Sequence, residues 1–118
     1  MKDIQGIVTR MNQDYPDFAR HFLQYSRTVK EEDGALDIKT KKLIALAISV
    51  SRQCEWCIVL HAKEAFDMGA TEAEMVEAVA VAIVLSGSPA FMELKVLFDV
   101  LDELKREKYL IFISSQIP

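Results

Sequence analysis

Apolar residues recur three and four positions apart along nearly the whole chain, the spacing of a helix face rather than of a strand. Ile4, Ile7, Val8 and Met11 mark a first helix over residues 3–12, ending before Tyr15-Pro16. Pro16 suits a first helical turn, and Phe18, Phe22, Tyr25 and Val29 mark an amphipathic helix to about Lys30. Glu31 to Leu36 is a polar loop around Gly34, after which Asp37 stands as N-cap for a helix from Ile38 to about Arg52. Residues 53–68 continue as a separate helix or after a kink, closed by Gly69. Thr71-Glu72-Ala73-Glu74 is a capping box that opens a helix to about Ser86. Ser86-Gly87-Ser88-Pro89 is the clearest break, and a last long helix runs from it to about Lys108. The pattern predicts an all-α fold of about six helices.

Two stretches are more apolar than one helix face requires. Leu43 to Val50 is apolar on every side except at Ser49, and Val76 to Leu85 is interrupted only by Glu77. A helix apolar all round must be buried all round. The chain of 118 residues reads as a single domain, 1–118, and a core that small has difficulty enclosing two such helices. A homo-oligomer is the expected solution. The tail Tyr109 to Ile113 is apolar and β-prone without a strand partner, so it either packs on a neighbouring subunit or extends the last helix.

Charge narrows the partners. Fourteen Lys and Arg against eighteen Asp and Glu give a net charge of −4, which argues against a nucleic-acid or anionic-membrane partner. The chain opens without a basic stretch followed by an apolar one, and no apolar run reaches the ~18 residues that span a bilayer. A cytoplasmic protein is expected. In that compartment two cysteines favour a catalytic or metal-binding pair over a structural disulfide.

Both cysteines and one of two histidines fall in Cys54-Glu55-Trp56-Cys57-Ile58-Val59-Leu60-His61. On a helix, positions 54, 57 and 61 share one face, within roughly 60° of arc, and Cys57 and His61 are an i, i+4 contact pair. An imidazole beside a thiol can take its proton or stabilise the thiolate, the reactive form. A second thiol one turn back can close a disulfide with the first. Three readings compete: two small buried hydrophobes with a satisfied histidine, a zinc site short of ligands, and a redox dithiol. The redox reading is preferred, and no metal or other cofactor is assigned. The helix dipole would favour thiolate if Cys54 lies in the first turn, with Lys39, Lys41, Lys42 and Arg52 adding positive charge. His21 reads as a partly exposed residue of the second helix.

From Leu36 to about Leu97 the order of features resembles the alkylhydroperoxidase D-like, carboxymuconolactone decarboxylase family: an apolar helix, CxxCxxxH, Gly-Ala-Thr, an acidic capping box, an Ala/Val-rich helix, then Gly and Pro. The resemblance implies an all-helical fold built on a helical hairpin, assembled into trimers or hexamers of dimers. For the thiol-active branch it implies reduction of a small-molecule peroxide by a cysteine pair, with electrons from a partner protein. Cys57 resembles the cysteine engaged by a proton relay, Cys54 its disulfide partner and His61 the relay histidine. Two positions depart from that branch: Lys42 stands where a glutamate precedes the first cysteine by twelve residues, and Trp56 where a histidine precedes the second. Both changes remove proton-transfer groups. Trp56 is expected to fill a gap at a subunit interface. The decarboxylase branch, a lyase acting on a lactone acid, lacks the cysteine pair. A redox sensor without turnover is a further alternative.

Overall fold

The computed structural model describes residues 2–117, and all of the regular structure among them is helical. The chain forms two compact units that divide after Ile38.

The first unit holds α1 (Lys2–Asp14) and α2 (Pro16–Lys30), packed on each other. Pro16 occupies the first turn of α2, where its missing N–H costs nothing. Phe18 and Phe22, one turn apart on α2, stack with ring centroids 6.1 Å apart. After α2, the Asp33 carboxylate accepts the Ile38 N–H at 2.9 Å, satisfying a free donor where the next helix begins.

The second unit contains α3 (Ile38–Ser51), α4 (Glu55–Asp67), α5 (Glu72–Ser86), the five-residue α6 (Ser88–Met92) and α7 (Leu94–Ser115). Its core draws Leu46 and Val50 from α3, Ile58, Ala62 and Ala65 from α4, Met75 and Val79 from α5, and Leu97 and Leu101 from α7. Small residues at 62 and 65 suit the packing of α4 against α7. Lys108 of α7 places its ammonium 5.7 Å from the centre of the Phe66 ring of α4, within cation–π range.

The start of α5 and the stop of α4 follow the predicted chemistry, whereas Gly87 rather than Ser88 is the N-cap of α6. Thr71 and Glu74 form the capping box in both directions, at 3.1 and 2.9 Å. Gly69, at φ +86°, closes α4 with its N–H on Phe66 O and the Ala70 N–H on Ala65 O, the paired bonds of a Schellman stop. The last predicted helix is interrupted at Glu93, so α6 and α7 are separate elements. The 109–113 tail extends the last helix, which runs to Ser115, one of the two outcomes expected for it.

The two strongly apolar stretches are not covered on every side. Ile48 of α3 and Val81, Val84 and Leu85 of α5 remain exposed, the last two at 82% and 83%. Leu110, Ile111 and Phe112 of α7 are exposed as well.

Candidate functional site

The turn between α3 and α4 delivers the cysteines. α3 ends in the same Schellman pattern as α4: Gln53 N–H reaches Val50 O at 3.0 Å and Cys54 N–H reaches Ser49 O at 3.1 Å. Gln53 adopts φ +53°, a left-handed backbone usually left to glycine. The kink expected near residue 53 is this stop, and it makes Cys54 the N-cap of α4.

Cys54 and Cys57 are joined in a disulfide, with Cα atoms 5.2 Å apart. The Cys57 N–H also points to Cys54 Sγ at 3.2 Å, where a capping oxygen would ordinarily sit. Both sulfurs therefore lie in the first turn, where free N–H groups and the helix dipole stabilise negative charge. His61 lies one turn further along α4, in the i+4 position to Cys57, and its side chain is 16% exposed. Trp56, between the cysteines, is half-buried, and its indole N–H is screened from water without an acceptor in the protein.

Lys42 lies in the buried stripe of α3 with Leu46, Ser49 and Val50, its side chain only 3% exposed. Its ammonium donates to Glu64 Oε2 at 2.8 Å. The same oxygen is 3.7 Å from His61 Nδ1, because residues 61 and 64 are neighbours on one face of α4. A carboxylate thus stands beside His61, supplied by α4 itself. Glu64 was not legible from the CxxCxxxH motif alone. The signal that could have raised it is the His61-x-x-Glu64 spacing, which puts a carboxylate on the same helix face, but the pairing with Lys42 depends on how α3 packs on α4.

The other basic residues serve elsewhere or face solvent. Lys39 bonds Glu74 Oε2 at 2.8 Å and Arg52 is exposed. His21 lies exposed on α2 and donates its Nδ1–H to Asp17 O at 2.7 Å, an ordinary surface arrangement. Among the described residues, no group of three or more His, Cys, Asp or Glu side chains is arranged to hold a metal ion, and no helix is long and apolar enough to cross a membrane.

Comparison with known proteins places these features in one family. The model of the carboxymuconolactone decarboxylase family matches residues 16–98, which include Lys42, both cysteines, His61 and Glu64. An uncharacterized protein from the cox locus of Paracoccus denitrificans is 42% identical over 83 residues, covering 70% of this chain and 74% of its own. A carboxymuconolactone decarboxylase family protein of Legionella pneumophila superposes with a TM-score of 0.80 at 31% identity, over 86% of this chain and 90% of that one. A Thermotoga maritima member, which carries a possible link to the antioxidative response, gives a TM-score of 0.80 at 26% identity over 92% and 91% of the two chains.

Proposed function

The chain belongs to the carboxymuconolactone decarboxylase family, and from that premise we propose that it is a thiol-dependent oxidoreductase of the peroxidase type. The observation that carries this reading is the Cys54–Cys57 disulfide in the first turn of α4, with His61 one turn on. The Thermotoga relative's possible antioxidative role supports it.

In the reduced protein His61 accepts the Cys57 proton, and the thiolate attacks the terminal oxygen of a hydroperoxide. The O–O bond breaks, the alcohol leaves with a proton, and Cys57 becomes a sulfenic acid. The Cys54 thiol attacks that sulfur and expels water, giving the disulfide. A dithiol on an electron-donor protein then reduces it by exchange and is itself oxidised to a disulfide. Helix amides at the N-terminus of α4 stabilise a thiolate in either step. The working form is a homo-oligomer, a trimer or hexamer, which would cover the exposed apolar faces of α3, α5 and α7.

The reading is tested by hydroperoxide consumption with dithiothreitol as reductant. Wild-type protein turns over, and Cys57→Ser falls to the rate of dithiothreitol alone. Full activity in Cys57→Ser refutes it, and conversion of a small lactone acid that survives thiol alkylation identifies a lyase instead.

A further inference from the structure

The buried cation Lys42 does not approach the thiols as a lone charge. It is tied to Glu64, and Glu64 faces His61 with the same oxygen. A lysine side chain 3% exposed stays charged only beside an anion, and an ammonium at 2.8 Å equally favours the carboxylate form of Glu64. The pair therefore presents an ionised oxygen to the neighbouring imidazole, partly offset by the ammonium that holds it. A carboxylate behind one ring nitrogen sets the tautomer and orientation of a histidine and stabilises its protonated form. At 3.7 Å the Nδ1–Oε2 approach is longer than a hydrogen bond. A small rotation of the Glu64 side chain closes the gap once the ring carries a proton. With Nδ1 turned to Glu64, we assign Nε2, on the opposite edge of the ring, to the proton exchange with the thiol.

We propose that Glu64, held in place by the Lys42 ammonium, is the positioning residue for His61. It stabilises the imidazolium formed when His61 takes the Cys57 proton, and so raises the fraction of reactive thiolate. The proposal rests on the redox reading of Cys57 and His61, and goes beyond it by assigning the carboxylate to α4 and its anchor to α3. No electron passes through the pair. One proton moves from Cys57 Sγ to His61, and Glu64 stays ionised.

The test is the rate of Cys57 alkylation by iodoacetamide in the fully reduced protein near neutral pH, with Cys54→Ser as the common background. Peroxide turnover is not needed. Lys42→Met/Glu64→Gln removes both charges together and leaves no lone buried ion. His61→Asn removes the base, and the triple variant combines them. Where thiolate is the minor form its fraction falls in step with the basicity of the imidazole, so the Lys42→Met/Glu64→Gln protein is expected to alkylate severalfold, up to about tenfold, more slowly. Because Glu64 acts through His61, the triple variant should be no slower than His61→Asn within about twofold, whereas a general loss of packing would multiply the two effects. An unchanged rate in Lys42→Met/Glu64→Gln, or multiplying effects in the triple variant, overturns the proposal while leaving the redox reading intact. A wild-type rate in His61→Asn overturns the base role itself. Should the doubly neutral protein fail to fold, Glu64→Asp keeps the charge and withdraws it by one methylene. A severalfold slower alkylation there supports the proposal, and an unchanged rate refutes it.

Discussion

Gln53 holds a left-handed backbone at φ +53°, one residue before the disulfide, while its side chain is exposed. A non-glycine residue there costs about 1–3 kcal/mol, against which glycine would lose about 0.4–1 kcal/mol of unfolded-chain entropy. Gln53→Gly is therefore expected to stabilise the protein by about 0.5–1 kcal/mol, read as a higher midpoint in urea with an unchanged slope. A lower midpoint would show that the glutamine side chain makes a contribution its exposure does not suggest. The site divides at this scale into what was readable and what was not. Cys57 and His61 follow from spacing along α4, and Cys54 from its place as the N-cap just before it. Lys42 was visible as the loss of an expected carboxylate, yet its partner Glu64 depends on how α3 crosses α4, which one-dimensional spacing does not encode. The burial of Lys42 was not legible either, since the Lys39/Lys41/Lys42 run reads as a solvated face until α3 is seen packed.

Among the elements, α5 shows how a local motif gains tertiary consequences. Its capping box is written in Thr71 and Glu74, but the structure adds Lys39 of α3 to the same Glu74 carboxylate. The Lys39 hydrogen bond first, and the Thr71 backbone N–H second, hold the Glu74 carboxyl below its ordinary 4.5. A carboxyl depressed in the folded state stabilises the fold above its unfolded value and loses that contribution as pH falls through its folded value. The expected outcome is that Glu74→Gln melts below wild type near neutral pH, and that this gap closes progressively as the pH drops below 4.5. A gap that stays constant through the acid range would mean the cap, not the charge, is what Gln disturbs. Helix boundaries elsewhere were legible where glycine, proline or a capping box marks them. The interruption at Glu93 carried no such mark. Extension of the last helix through Tyr109–Ile113 was one of two expected outcomes, and the preceding turns of α7 override the weak propensity of its β-branched and aromatic residues.

At the level of the whole molecule, an oligomer is the expected answer to too much apolar surface for one small core. The exposed Val81, Val84 and Leu85 show where the second unit leaves that surface open. Light scattering is expected to give a multiple of the 13.4 kDa chain mass. Placing a lysine at Val84, 82% exposed in the single chain, should dissociate that assembly without unfolding it. A wild-type protein that scatters as a single chain would rule the assembly out. The fold, and membership of the carboxymuconolactone decarboxylase family, were legible because helix periodicity and CxxCxxxH are local patterns. The substrate is not written in such patterns, and so the central claim rests on the dithiol itself. It is tested most directly by adding one equivalent of an alkyl hydroperoxide to the reduced protein and following peroxide and intact mass together. One peroxide is expected to be consumed per chain while the mass falls by two hydrogens, a change that dithiothreitol reverses and that neither Cys54→Ser nor Cys57→Ser shows. Peroxide left unconsumed beside two intact thiols would contradict it.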